Sequence, residues 1–404
     1  MLSLLFLLPM QLQAADAPPP KTWIDPDTGH RIVRLTDEPG SASLYFNQNG
    51  YTPDGKKLVY TTPNGISVLD LASRETKSVV TGRVRLVDAG RKNNRVFYIK
   101  EGSAYWTNVD TGETVKIGGL PPRGGISTVN ADETLLAGTY IEGPATNPQT
   151  APAPQTHPLD QPRNKEDMME QRLASRQPMA MYTLNIETGA VKVVHRATDW
   201  LNHLLFSPTD PGLLMFCHEG PWHKIDRIWT VRTDRDNKPL KIHTRTMAME
   251  IFGHEFWAPD GKTIWYDLQT PRGEDFWLVA YDVATARRRQ YHLQRNEWSI
   301  HFNVSRDASL LTGDGGDPGQ VAKAADGQWI YLFRPELKLN QGLDDPSFIQ
   351  PGVLRAEKLV NMSKHQYRLE PNVSFTPDQK WVVFRSNMFG ATYVFAVEVA
   401  KSHF

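Results

Sequence analysis

IFGHEFWAPDGKTIWY, residues 251–266, combines a turn phrase with a histidine placed at a fixed distance before it. The phrase is an aromatic residue, then Ala-Pro-Asp-Gly, then an alternating apolar strand. Proline presets the first φ of the turn and glycine accepts the left-handed residue, so the phrase joins two antiparallel strands. It recurs as YTPDGKKLVY at 51–60 and FTPDQKWVVF at 375–384. Degenerate copies are FSPTDPGLLMF at 206–216, VNADETLLAG at 129–138 and NVSRDASLLTG at 303–313, and VDAGRKNNRVFYI at 87–99 is the weakest.

Each copy is expected to be followed by a second hairpin with an Asp-x-x-Thr-Gly-like turn, which LDLASRETKSVV, NVDTGETVKI, NIETGAVKVV, VRTDRDNKPLKI and YDVATARRRQYHL show in sequence order. A unit of four short strands, repeated at intervals of about 40–50 residues, is what a propeller blade requires. Each blade buries its faces only against its neighbours. The expectation is an all-β, seven-bladed β-propeller spanning residues 21–404 as one domain. The last copy ends in the strand pair at YVFAVEVA, so the early strand RIVRLT at 31–36 is expected to complete that blade and close the ring. An insertion at 143–178, with a helix-permissive run NKEDMMEQRLASRQ, is read as an excursion over one face or a plain surface insertion. The interval 335–359 reads as irregular and polar.

Equivalent positions on successive inner strands ring one mouth of the channel. The residue six before the aspartate slot is Gln48, Val84, Ile126, His203, His254, His301 and Asn372 in turn. Three consecutive repeats supply histidine, from only 12 in the chain. A core histidine has no reason to favour that position, although polar residues can also serve simply to hydrate a wide channel. Glu255, Glu370 and the segment CHEGPWHKIDRIW, with His218, Glu219, His223 and Arg227, stand close by in sequence. HEGPWH spaces its histidines by five around a proline, which is not the helical zinc spacing. Imidazoles and carboxylates converging on a channel suit a divalent cation such as Mn²⁺, Ca²⁺ or Zn²⁺. They equally suit acid–base catalysis. A Glu255/Glu370 pair for glycoside hydrolysis is a further option. GxSxG, P-loop and GxGxxG patterns are absent.

Composition narrows the partners. The 404 residues carry 45 basic and 45 acidic side chains, so no global field recommends nucleic acid or an anionic membrane. MLSLLFLLPMQLQAADA at 1–17 reads as a signal peptide, which implies a secreted or periplasmic protein. Cys217 is the single cysteine, so no intramolecular disulfide can form, and beside Phe216 it reads as core.

Several stretches, in order, resemble the oligogalacturonate lyase family of seven-bladed propeller polysaccharide lyases: LNH at 201–203, FCHEGP with the following Arg227, GHEFWAPDG, SIHFNVSRD with GDG downstream, and NVSFTPD. The resemblance implies β-elimination on an acidic oligosaccharide, in which a base removes the C5 proton of a uronate and positive charge neutralises the carboxylate. It casts His254 as the base, Arg227 as the charge partner and His301 as a metal-binding histidine. Gln48, His203, His218, Glu219 and Tyr367 are the expected substrate contacts. The family's Gln and His-Pro-His metal run is replaced here by Tyr367 and Glu370-Pro371-Asn372, leaving two alternatives. Either Glu370 and Asn372 join His301 around a divalent cation, Mn²⁺ or Ca²⁺, or metal binding is lost and Tyr367 or His365 acts as acid or base. The competing class is a non-catalytic TolB-like scaffold, which has no need of three channel histidines.

Overall fold

The computed structural model describes residues 19–143, 164–235, 238–339, 342–343, 345 and 347–401. The expected signal peptide and residues 144–163 of the expected insertion lie outside them.

Thr52, Asp54 and Gly55 show how the phrase turns the chain. Asp54 accepts the Thr52 hydroxyl at 2.7 Å and the Lys56 amide at 3.0 Å, with Gly55 at φ 71°. Asp260 accepts the Lys262 amide in the same way, and Gly261 sits at φ 65° with no room for a Cβ, which would lie 2.0 Å from the Thr209 hydroxyl. Outer hairpins use the Asx device: Asp70, Asn108, Asn185 and Asp282 each accept two amides of their own turn.

These turns fold the chain into successive antiparallel sheets. Three sheets or sheet halves frame the site. One holds Trp200–Phe206, Leu213–Glu219, Ile228–Arg232 and Leu240–Lys241. The next holds Ile251–Trp257, Thr263–Gln269, Phe276–Asp282 and Arg288–Leu293. It is joined, through parallel pairing of Arg288–Leu293 with Gln350–Asn361, to Phe302–Val304, Leu311–Gly313 and Trp329–Leu337. Two further four-stranded sheets begin at Arg85–Ala89 and Gly124–Val129. The early strand Arg31–Arg34 pairs antiparallel with Ala391–Glu398. The result is an all-β, propeller-like arrangement.

Apolar side chains lock neighbouring sheets face to face. Met215 and Ile228 pack with Phe252, Ile264 and Tyr266, and Phe256 and Trp265 pack with Phe302 and Phe333. Each such fully buried side chain contributes about 1.5–3 kcal/mol.

Two expectations are corrected. About half of residues 335–359 belongs to the strands of a long hairpin, Trp329–Leu337 and Gln350–Asn361, and the described residues between them carry no strand. Their polar appearance reflects exposure, since the C-terminal end of the first strand and the start and middle of the second are largely exposed. Gln48 lies in a turn after Phe46, because that repeat has only the isolated bridges Ala42 to Thr61 and Tyr51 to Leu58 where an inner strand was expected.

Candidate active site

Inner strands deliver their histidines through bulges. In Trp200–Phe206 the register breaks between Asn202 and Leu205, and in Ile251–Trp257 between Gly253 and Phe256. The residues lifted out of the ladder are His203 at φ 49° and His254 at φ 48°, and Asn372 adopts φ 54° at the equivalent place. A left-handed non-glycine residue costs about 1–2 kcal/mol. Such strain marks positions where a bulge re-aims a side chain for function.

His203 and His254 meet in a cavity of about 40 Å³ lined also by Tyr45, Lys165, Glu219, Trp222, Arg227, Glu255 and Glu370. A wider cavity of about 400 Å³ shares Lys165, Trp222, His254 and Glu370 with it. Together they give a narrow polar floor beneath a broader mouth.

His254 Nδ1 lies 3.2 Å from Asp267 Oδ1, and its ring packs against Trp222 with centroids 5.1 Å apart. Burial, helped by His301, Lys165 and Arg227, holds the imidazole well below its usual 6.5, so it is neutral near pH 7. Burial also pushes the Asp267 carboxyl up to about 8, against the pull of Arg227. The two therefore titrate as a pair. Once Asp267 ionises, the imidazole hydrogen is drawn to Nδ1 and the Nε2 lone pair is free to accept a proton.

Arg227 is buried, with its guanidinium 4.0 Å from the Trp222 ring centroid. Its Nε and Nη1, and both carboxylate oxygens of Glu255, have no hydrogen-bond partner among the described residues. Buried donors without partners at a cavity are ready for an anionic ligand. Gly253 makes this approach possible, since a Cβ there would lie 2.3 Å from Trp222 Cζ3 and 3.0 Å from Arg227 Nε.

The inserted segment reaches the same cavity. Helix α1, Lys165–Ser175, is capped by the Asn164 side chain, which accepts the Asp167 amide. It is tied down by Arg172 to Glu219 at 2.9 Å, Glu166 to Arg272 at 3.0 Å and Glu170 to Lys224 at 2.7 Å. These contacts place Lys165 at the cavity, where it pairs with no carboxylate among the described residues. Glu219, by contrast, is occupied by Arg172 and by Asn202 Nδ2 at 2.9 Å, with His203 Nε2 at 4.0 Å.

A model of the oligogalacturonate lyase family matches residues 19–403. The chain belongs to the oligogalacturonate lyase family. It is 25% identical over 401 residues to an oligogalacturonide lyase of Pectobacterium atrosepticum, covering 94% of this chain and 96% of that one. It is 24% identical over 405 residues to an oligogalacturonate lyase of Dickeya dadantii, with the same coverage. Among solved structures, an oligogalacturonate lyase in complex with manganese superposes with a TM-score of 0.73 at 23% identity, over 94% of this chain and 96% of that one. An oligogalacturonate lyase from Vibrio parahaemolyticus gives 0.74 at 24% identity, over 95% and 97%.

Against that family background, the expected cation ligands of this chain are committed elsewhere. His301 is buried, with Nδ1 2.8 Å from Asp314 Oδ2 and Nε2 3.0 Å from the Tyr45 hydroxyl. Asn372 Oδ1 accepts the Phe46 amide, and its Nδ2 donates to the Glu370 carbonyl. The Tyr367 hydroxyl donates to the carbonyls of Gly327 and Asp314, and both His365 nitrogens are engaged, by Ser386 and the Leu369 carbonyl. Of the expected cation ligands, Glu370 alone lines the cavity among the described residues. No group of three or more His, Cys, Asp or Glu side chains is placed to hold a metal among the described residues. His301 and Asn372, as they are placed, do not fit a resident divalent cation.

Three expected substrate contacts are not brought to this cavity: Tyr367, as just described, Gln48 and His218. The Gln48 amide is spent on the Val87 carbonyl at 2.5 Å and the Tyr45 amide at 3.0 Å. His218 turns outward to Asp199 at 3.2 Å, in a separate cavity with His195 and Trp229.

Asp267, Asp314, Trp222, Tyr45 and Lys165 were missed in the sequence. A signal for the two aspartates existed: each lies thirteen residues after its histidine, His254 to Asp267 and His301 to Asp314. That spacing is the return of the hairpin to the same rung, as the Gly253 to Asp267 pairing shows.

Proposed function

We propose that this chain is an oligogalacturonate lyase that cleaves the acidic chain by β-elimination. The observation that carries the reading is the buried guanidinium of Arg227, whose Nε and Nη1 have no hydrogen-bond partner among the described residues, beside the neutral, aspartate-backed His254. A uronate carboxylate docked on Arg227 loses its opposing charge, which acidifies the adjacent C5–H. His254 Nε2 takes that proton, a double bond forms between C4 and C5, the C4–O4 bond breaks, and the leaving oxygen takes up a proton. Lys165 and His203 line the same pocket and supply further contacts to the carboxylate and hydroxyls.

The supporting fold reading is one domain over residues 21–404, with seven blades and the early strand Arg31–Arg34 completing the last. Secretion or periplasmic residence follows from the signal-like start at 1–17. A divalent cation such as the manganese of the solved relative would supply charge neutralisation when bound. The committed side chains of His301 and Asn372 do not fit it, so the charge falls to Arg227 and Lys165.

The test is the ultraviolet absorbance of unsaturated uronate during incubation with short oligogalacturonates. A steady rise supports the reading. Saturated products from the same substrate would point to hydrolysis instead.

A further inference from the structure

The same elimination needs an acid for the leaving oxygen, and the side chains the sequence nominated for that role, Tyr367 and His365, are locked onto backbone or buried partners. Another phenol stands at the cavity. Tyr45 lines it together with His254 and Arg227, and its hydroxyl lies 3.0 Å from His301 Nε2. His301 is itself fixed by Asp314, which accepts its backbone amide at 3.0 Å and faces its Nδ1 at 2.8 Å. The His301 ring also stacks on Phe46, with centroids 4.5 Å apart, and meets His254 edge to face at 5.2 Å. This places a rigid Tyr45–His301–Asp314 chain beside the His254–Asp267 pair. The nitrogen through which His301 would bind a cation is the one that Tyr45 occupies.

We infer that Tyr45 has taken the cation's seat in this chain and acts as the general acid of the elimination, donating its hydroxyl proton to the departing O4. This rests on the lyase reading above and adds the group that completes it. The proton balance closes within the site. His254 takes the C5 proton, the C4–O4 pair leaves with the proton of Tyr45, and after product departure the proton on His254 returns to Tyr45. No metal, oxidant or further reactant is required. His301 and Asp314 are positioning residues: Asp314 holds the hydrogen on Nδ1, so Nε2 accepts the Tyr45 hydroxyl at rest and fixes the phenol oxygen at the cavity wall, and the O–H turns from Nε2 to O4 as the C4–O4 bond breaks.

The experiment compares wild type with Tyr45→Phe in the presence of a chelator, reading two quantities on oligogalacturonate: unsaturated product, and exchange of the C5 hydrogen with deuterated solvent. The phenylalanine lacks only the hydroxyl, and an unchanged melting curve reports the fold. Expected are a wild-type rate that survives chelation and an elimination rate in the variant lower by about 10²-fold or more. C5 exchange should persist in the variant, because His254 and Arg227 are untouched. Its deficit should shrink on a uronate bearing a more acidic leaving group at C4, which needs less help from an acid. An elimination rate within about threefold of wild type in the variant overturns the role. So does equal loss of exchange and elimination, an undiminished deficit with the acidic leaving group, or a wild type silenced by chelation. A wild type that neither exchanges nor eliminates sinks the lyase reading and Tyr45 with it, whereas an active wild type with an indifferent Tyr45→Phe sinks Tyr45 alone.

Discussion

Replacing Asp267 with asparagine should disarm His254 without moving it. The carboxylate oxygen lies 3.2 Å from Nδ1, and asparagine has nearly the same shape. Its amide, however, can donate to Nδ1, which pushes the imidazole hydrogen to Nε2 and removes the lone pair that faces substrate. It also removes the negative charge that stabilises the imidazolium formed when C5 is deprotonated. At 3.2 Å and an effective dielectric of about 20, that attraction is worth about 5 kcal/mol, or roughly 10³–10⁴ in rate. The loss should fall on kcat, with KM little changed, because Arg227 still holds the carboxylate. The pH profile gives a second readout. Because burial raises Asp267 to about 8, the pair reaches its base form only as pH climbs toward that value, so wild-type activity should rise through about pH 8. In Asp267→Asn that limb should disappear. Steady-state absorbance assays across the same pH range test both, and a variant within about tenfold of wild type, or one retaining the limb, would refute the assignment.

Other consequences are as direct. Gly253→Ala forces a Cβ within 2.3 Å of Trp222 and 3.0 Å of Arg227, so stability should drop by about 1–3 kcal/mol and activity more than stability alone explains. Denaturant unfolding beside kinetics measures this. Arg227→Met should lower kcat/KM on oligogalacturonate by about 10²–10³, with Arg227→Lys recovering part because charge without the planar fork suffices only partly. The raised carboxyls Asp88, at about 7, and Asp267, at about 8, bind protons more tightly folded than unfolded. Their contribution to stability is full below the ordinary carboxyl range and lost as pH rises through 7–8, so calorimetry should find a lower melting temperature at about pH 9 than at about pH 6. Asp88→Asn should flatten that dependence.

Much of this was legible because the repeat writes itself in local chemistry. Thr-Pro-Asp-Gly turns and Asx hairpins are decided within a few residues, so both could be counted along the chain. Alignment of the copies located His203 and His254, whose side chains do converge. What was hidden depends on the path of the backbone. The same column holds Gln48, His301 and Asn372, but a turn, a Tyr45 hydroxyl and a Phe46 amide consume them. Trp222 and Lys165 come from a loop and an inserted helix that obey no repeat, and only long-range packing brings them in. The aspartates at +13 lay in a second readable column that hairpin pairing makes adjacent to the first.

The most direct test of the account is product analysis for wild type and His254→Ala on a defined oligogalacturonate, with ultraviolet absorbance and mass spectrometry read together. Wild type should release a fragment with an unsaturated end and the paired saturated fragment, with no water added across the cleaved bond, and His254→Ala should release neither at a measurable rate. Hydrated products, or unsaturated ones formed equally fast without His254, would contradict it.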